Sequence, residues 1–359
     1  MSKLLFVAEW EKDKKKTWSG TTYNLYKSLG GYFDIEEISL NKEHLLIFLS
    51  KIGKISCKLK GKSDMDYHKF ILGEYFIKNK NNIPSLVFSE YKINNYINEY
   101  IFQDLSVSYL RYLYDNDKEL FDITPFNLVD YEYLCKREQL QLEFYRKCKA
   151  IFVMGEWLKN DLVNRNKIDE KKIHVVGGGI NVNPSLIDYS KKKGNKILFV
   201  GSDFRIKNGY LVVDAFKKAR EIKKDLELYI IGNNVKVKEE GVYVLGELNH
   251  DEIINYYNMC DIFCMPSLHE GYGIAFIEAL TFGLPCIARN AYEMPYLIKD
   301  GVTGRLLNNR NDSDELARLM LETIDNEKMK NNVRLKKDEY IKKYSWDEVA
   351  RRIYLNVIE

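Results

Sequence analysis

Apolar positions along the chain fall into short runs separated by stretches with helical spacing. Lys3 to Ala8 is continuously apolar after its lysine, the pattern of a strand buried on both faces of a parallel sheet. A glycine-containing turn, Trp18-Ser19-Gly20-Thr21-Thr22, follows it. Tyr23, Leu25, Tyr26 and Leu29 then recur at mostly helical spacing, and Gly30-Gly31 closes the run as a C-terminal cap would. Strand, loop and helix make the first half of a βαβ unit. Further strands are expected at Ser85 to Phe88, Tyr100 to Phe102, Ala150 to Val153 and Lys172 to Val176. Helical stretches near 64 to 80, 106 to 116, 131 to 149 and 156 to 165 interleave with them.

The alternation breaks between Gly177 and Gly194, where three glycines, Pro184 and a polar Ser-Lys-Lys-Lys-Gly-Asn run mark a domain boundary. It resumes with strands expected at Lys196 to Val200, Leu226 to Ile231, Val242 to Leu245, Asp261 to Met265, Pro285 to Ala288 and Gly304 to Leu307. Two doubly wound α/β domains result, and 359 residues exceed what one core usually organises. Ligands of such sheets bind beyond the carboxyl ends of the strands, so function is expected in loops that follow strands.

Composition changes this picture little. Hydrophobic residues make up 45% and charged residues 30%, as in ordinary globular chains. A net charge of +3, from 55 basic and 52 acidic side chains, is too balanced for a general nucleic-acid binder. The six cysteines, at 57, 135, 148, 260, 264 and 286, include no CxxC pair or zinc-finger spacing and read as reduced thiols of a cytoplasmic protein. The first apolar run is too short for a signal core, and no window approaches a membrane-spanning length.

The most informative stretch is Pro266-Ser267-Leu268-His269-Glu270-Gly271-Tyr272-Gly273-Ile274-Ala275-Phe276-Ile277-Glu278-Ala279-Leu280. Glu270 lies in a glycine-containing loop after a strand, and a helix starts near Gly273. Backbone N–H groups and the dipole at that helix start suit an anion such as a diphosphate, and the loop carboxylate suits sugar hydroxyls. Glu278 stands one turn into the helix within an apolar row, an expensive place for a charge unless it has polar partners.

This stretch resembles the E-x7-E signature of the GT4 family of retaining glycosyltransferases. The resemblance covers most of the chain and is strongest from about 146 to 300. It implies a GT-B fold, in which two Rossmann-like domains face a central cleft. Residues 1–183 would form the acceptor-binding domain and 184–342 the nucleotide-sugar donor domain. Residues 343–359, with Trp346 opening the last helix, would pack back on the first domain. By the same resemblance Glu270 contacts the donor sugar, Glu278 the ribose hydroxyls, and Gly271, Tyr272, Gly273 and Ile274 offer donors to sugar and phosphates.

Phe199-Val200-Gly201-Ser202-Asp203-Phe204-Arg205-Ile206-Lys207-Asn208-Gly209 is again strand, glycine loop and helix. Gly201 permits close approach, and a fixed cation there stabilises a departing diphosphate. The loop resembles the family's phosphate-binding segment, which makes Lys207 and Arg205 the candidates. It departs from that pattern at Ser202, where many members carry arginine, and at Asn208, where glycine is common. In the first domain, Ser19, Gly20 and Thr21 resemble the acceptor-side glycine loop of a GT4 subgroup. Asp104 follows a strand, where it is either an acceptor-side residue or a helix N-cap. The triple glycine Gly177 to Gly179 reads as a hinge.

A retaining hexosyltransferase is expected, moving a sugar from a UDP- or GDP-linked donor to a glycan or lipid-linked acceptor in bacterial surface polysaccharide synthesis. The rivals are a noncatalytic nucleotide-sugar-binding subunit and a sugar-nucleotide epimerase of the same fold. No cofactor or metal is expected. Asp64-Met65-Asp66, Asp115-Asn116-Asp117 and Asp312-Ser313-Asp314 match the metal-binding DxD pattern, but none follows a convincing central strand. The lysine-rich segments Lys12 to Lys16 and Lys51 to Lys62 are solvated faces or a peripheral contact with the inner face of a membrane.

Overall fold

A computed structural model describes residues 1–39, 83–88, 98–127, 129–192 and 194–358. The chain divides into two compact units, Met1–Gly178 with Trp346–Glu359, and Gly179–Ser345. The expected helix near 64 to 80, the Lys51 to Lys62 run, Asp64-Met65-Asp66, Cys57, His44 and His68 lie outside the described residues.

The first unit contains β1 (Lys3–Ala8), α1 (Thr21–Leu29), β2 (Asp34–Ser39), β3 (Ser85–Val87), β4 (Glu99–Gln103), α2 (Val107–Asn116), α3 (Lys118–Ile123), α4 (Tyr131–Lys147), β5 (Ala150–Val153), α5 (Glu156–Asn164) and β6 (Ile173–Val175). Its strands form a parallel sheet in the order β2-β1-β3-β4-β5-β6. β1, β4 and β5 are buried because helices cover both faces, which is why their sequences run apolar without alternation. β2 was not anticipated. Its Asp-Ile-Glu-Glu-Ile-Ser sequence has no continuous apolar run because, among the described residues, it is the edge strand, half exposed.

The second unit contains β7 (Lys196–Val200), α6 (Gly209–Ile222), β8 (Glu227–Ile231), β9 (Val242–Gly246), α7 (His250–Met259), β10 (Ile262–Cys264), α8 (Ile274–Thr281), β11 (Cys286–Arg289), α9 (Met294–Leu297), β12 (Gly304–Leu307), α10 (Ser313–Ile324), α11 (Glu327–Leu335) and α12 (Lys337–Lys343). Its sheet is also parallel, in the order β12-β11-β10-β7-β8-β9. Each unit is thus built on a parallel sheet of Rossmann-like type.

The boundary lies at Gly178/Gly179, ahead of residue 183, because the following segment is tied into the second unit. The Ile180 N–H donates to the Tyr344 carbonyl at 2.9 Å, and the Asn181 N–H donates to Glu278 Oε1 at 2.8 Å. Tyr344 itself stacks on Tyr340, so the second unit continues past residue 342. The last helix, α13 (Trp346–Ile358), belongs to the first unit. Its Tyr354 ring meets Tyr32 and Phe33 at 5.3 and 5.2 Å, and Arg352 donates to the Val176 carbonyl at 3.0 Å. Within the Lys12 to Lys16 cluster, Lys14 pairs with Glu37 at 2.6 Å and lies over the Trp10 ring at 4.8 Å, so it is not a free surface cation. Among the described residues no helix is long and apolar enough to cross a membrane. Cys135, Cys148, Cys260, Cys264 and Cys286 are free thiols.

Ile353 is fully buried on α13. Ile353→Ala should destabilise the first unit by about 2–5 kcal/mol through lost burial and a residual cavity, read as a lower urea midpoint. An unchanged midpoint would mean that α13 adds nothing to that unit.

Candidate functional site

In the second sheet, β7 pairs with β8 on one side and β10 on the other, so the strand order reverses between β7 and β10. The loops after these two strands diverge there and open a crevice at the carboxyl ends. A backbone bond ties the two loops together, with the Leu268 N–H donating to the Ile206 carbonyl at 2.8 Å.

The first loop is shaped by Asp203, whose carboxylate accepts from the N–H groups of Arg205 at 3.0 Å and Ile206 at 2.9 Å. This turn brings the Lys207 stem back across Gly201, where a Cβ would stand 2.7 Å from Lys207 Cγ. Behind it, Gly232 has φ +97° and leaves no room for a Cβ, which would lie 2.8 Å from the Gly201 carbonyl carbon. The close approach expected at Gly201 is therefore made by the protein's own lysine and backbone. Ser202 is exposed, and its carbonyl accepts from Asn233 at 2.9 Å.

Lys207 Nζ reaches Glu270 Oε2 at 2.7 Å, and the Ser267 hydroxyl donates to the same oxygen at 3.2 Å. Both side chains are largely enclosed, at 21% and 12% exposure. Two of the residues singled out in the sequence thus meet across 63 positions of chain. Arg205 does not join them. It is exposed and makes no ion pair among the described residues.

The second loop enters α8 through Gly273, a left-handed N-cap with φ +92° that donates no side-chain cap. The first N–H groups of α8, beginning at Ile274, therefore lack the side-chain acceptor a Ser or Asp would supply. Tyr272 is buried, and Gly271 lies between it and Glu270. Two further residues, which the sequence reading did not single out, complete this corner. Arg289, at the end of β11, donates to the Leu268 carbonyl at 2.7 Å. His269 packs edge-on against Tyr292, and burial lowers it to about 4, with Lys207 and Arg289 adding to the effect and Glu270 opposing it. Its place directly before Glu270 was the one available signal.

Glu278 lies deeper. Its Oε1 accepts the Asn181 N–H at 2.8 Å and its Oε2 the Tyr257 hydroxyl at 3.1 Å, which supplies the polar partners its apolar row demands. Burial pushes its carboxyl up to about 7, against the lowering effect of those two donors.

In the first unit, Gly20 (φ +89°) precedes α1, Thr21 is its first residue and Ser19 is left-handed at φ 53°. Asp104 is not a helix cap. Ser106 caps α2, accepting the Tyr109 N–H at 3.1 Å, and Asp104 lines a cavity with Trp18. Of the DxD matches, Asp117 caps α3 and Asp312 caps α10, while Asp115 pairs with Arg111 and Asp314 with Lys218.

Glu278 and His269 give a pH signature of opposite sign. An acid raised from 4.5 to about 7 by folding stabilises the fold below pH 4.5, and that contribution is lost as pH rises through 7. A histidine lowered from 6.5 to about 4 does the reverse, stabilising above pH 6.5 and failing as pH falls toward 4. Between pH 4.5 and 6.5 the two slopes oppose. Relative to Glu278→Gln, the wild type should lose stability on the order of 3 kcal/mol from pH 4.5 to 8, measured by urea unfolding at each pH. A pH-independent difference would show that Glu278 is not titrating as a buried acid.

Residues 188–343 match the family model described as glycosyl transferases group 1. The chain is 26% identical to an uncharacterised glycosyltransferase of Methanocaldococcus jannaschii over 57% of its own length and 58% of that protein. It is 24% identical to a phosphatidyl-myo-inositol mannosyltransferase of Mycobacterium leprae, over 56% and 58% of the two chains. The chain therefore spans somewhat over half the length of these relatives. In structure it is similar to WaaG, a glycosyltransferase involved in lipopolysaccharide biosynthesis, with a TM-score of 0.63 at 14% identity, covering 93% and 95% of the chains. This match lies across the unit that holds Lys207, Glu270 and Glu278, so the second unit is similar to the group 1 glycosyltransferases, and the chain has the GT-B fold.

Proposed function

We propose that this protein is a retaining, metal-independent glycosyltransferase that moves a hexose from a UDP- or GDP-linked donor to a glycan or lipid-linked acceptor of a bacterial surface polysaccharide. The observation that carries this reading is the Lys207–Glu270 pair at 2.7 Å, held where the strand order reverses and beside the N-terminus of α8. An ammonium has three donors, and Glu270 uses one of them. The others suit an oxygen of the diphosphate, together with the N–H groups of Gly271 to Ile274 at the helix start. The Lys207 and Ser267 contacts both fall on Glu270 Oε2, which leaves Oε1 as an acceptor for sugar hydroxyls. Glu278 offers the lone pairs left by Asn181 and Tyr257 to the ribose diol.

In this reading the bond from the anomeric carbon to the phosphate oxygen breaks, and its electron pair passes to the diphosphate. The acceptor oxygen bonds to the same carbon from the same face, and its proton goes to the departing diphosphate oxygen. Lys207 stabilises the charge that develops there, the part a metal ion would otherwise play. The phosphatidyl-myo-inositol mannosyltransferase relative supports the choice of a lipid-linked acceptor and makes a GDP-linked mannose the first donor to try.

The test is release of nucleoside diphosphate from UDP-, GDP- and ADP-sugars with EDTA present. Lys207→Ala and Glu270→Ala should each reduce release by about 10²- to 10³-fold, the usual loss for removing a group that meets transition-state charge. Release abolished by EDTA would end the metal-independent reading. Tight nucleotide-sugar binding without release, even with mixed glycan acceptors, would favour a noncatalytic binding subunit.

A further inference from the structure

Among the described residues the strand order of the first sheet also reverses, between β1 and β3, because β1 pairs with β2 on its other side. The loop after β1 and Phe88 after β3 meet at that point. The loop takes an unusual course, with Trp18, Ser19 and Gly20 all left-handed at φ 47°, 53° and 89°. Two of these carry a Cβ, which L-residues pay for in strain. The Thr17 hydroxyl anchors the loop by accepting the Glu11 N–H at 2.9 Å. The outcome is that the half-buried Trp18 indole stands edge-on to Phe88 at 6.1 Å and Phe102 at 5.9 Å.

Trp18 and Phe88 are shared walls of two cavities. The first, about 190 Å³, is also lined by Gln103, Asp104, Arg137 and Gln141. Two of these are fixed from behind. Gln141 Oε1 accepts the Val107 N–H at 2.7 Å, and Gln103 accepts the Tyr145 hydroxyl. The second, about 270 Å³, is lined by Glu9, Glu11, Thr17 and Thr22. Rigid aromatic rings bordered by carboxylates, amides and hydroxyls match a pyranose, which has apolar C–H faces and a rim of hydroxyls. An acyl chain would meet too many polar groups here, and a phosphate would meet Glu9, Glu11 and Asp104 against the one cation Arg137.

We propose that these cavities are two adjoining saccharide subsites separated by Trp18, so that the first unit recognises a glycan of at least two sugar residues. As a statement about the acceptor this rests on the transferase reading above; as a statement about saccharide binding it stands alone. Trp18 is then the specificity-determining residue for glycan length, with one ring on each side of the indole.

The full chain would be titrated with mannose, glucose, mannobioses, maltose, cellobiose and chitobiose, with binding followed by calorimetry or ligand-observed NMR. At least one disaccharide should bind about tenfold more tightly than its monosaccharide, and Trp18→Asn should erase that gain. Asparagine tolerates the left-handed backbone, so the variant should stay folded with a somewhat lower thermal midpoint from the lost ring packing, and Trp18→Phe should retain part of the gain. Equal binding of monosaccharides and disaccharides, no binding across the panel, or wild-type affinity in a folded Trp18→Asn would each overturn the proposal. Trp18-dependent disaccharide binding in a protein that releases no nucleotide from any donor would leave the subsites standing and remove the transferase reading.

Discussion

The reversal of strand order between β7 and β10 is the constraint on which the second unit's chemistry depends. At the reversal the loops after β7 and β10 lead into α6 and α8, and the crevice of such a sheet lies there, outside the carboxyl ends of the strands. A crevice alone would be soft. Here it is fixed by one backbone bond, Leu268 to Ile206, and one enclosed ion pair, Lys207 to Glu270. Side chains so held lose little further freedom when a ligand arrives, which is the physical meaning of a preorganised site.

Much of the fold was legible because parallel strands buried on both faces leave an unmistakable sequence trace. Lys3–Ala8, Ala150–Val153 and Lys196–Val200 have the bounds their apolar runs suggest. Asp34–Ser39, the edge strand among the described residues, left no such trace, since none of its residues is buried. In the candidate site, Lys207 and Glu270 were legible because each sits in a glycine loop after a strand. What was not legible depends on tertiary approach. Nothing near Glu278 in sequence reveals that Asn181 and Tyr257 satisfy it, and nothing near Arg289 shows that it braces the Leu268 carbonyl. Gly201 shows the same limit from the other side. Its small size was readable, but the atom that needs the space is Lys207's own stem.

The two sheets meet the same topological constraint with different chemistry. At the second, the diverging loops carry opposite charges that pair, and a helix start points into the opening. At the first, they carry an indole and a phenyl ring, and the backbone bends into the left-handed region at Trp18 and Ser19 to place them. Local strain of that kind persists only where surrounding structure over-determines it, here through Thr17, the Phe88 and Phe102 rings, and the start of α1. A turn with asparagine or glycine at those positions would close the same loop with less strain, so connectivity does not explain the tryptophan.

The charge balance of the second site follows from what is buried and what is not. Burial lowers His269 to about 4 and raises Glu278 to about 7, so each favours its neutral form. The charges fixed at the opening are then Lys207, Arg289 and Glu270, one positive in excess, beside a helix start that adds partial positive charge. An unpaired lysine in so enclosed a place would be expensive to desolvate, and an unpaired glutamate would repel a diphosphate. Pairing them lowers both costs while leaving donors on the ammonium unused. On the proposed reading the ion pair stores a cation where the donor's diphosphate would lie, and it adds little to stability, since such enclosed pairs gain little over apolar replacements of the same shape.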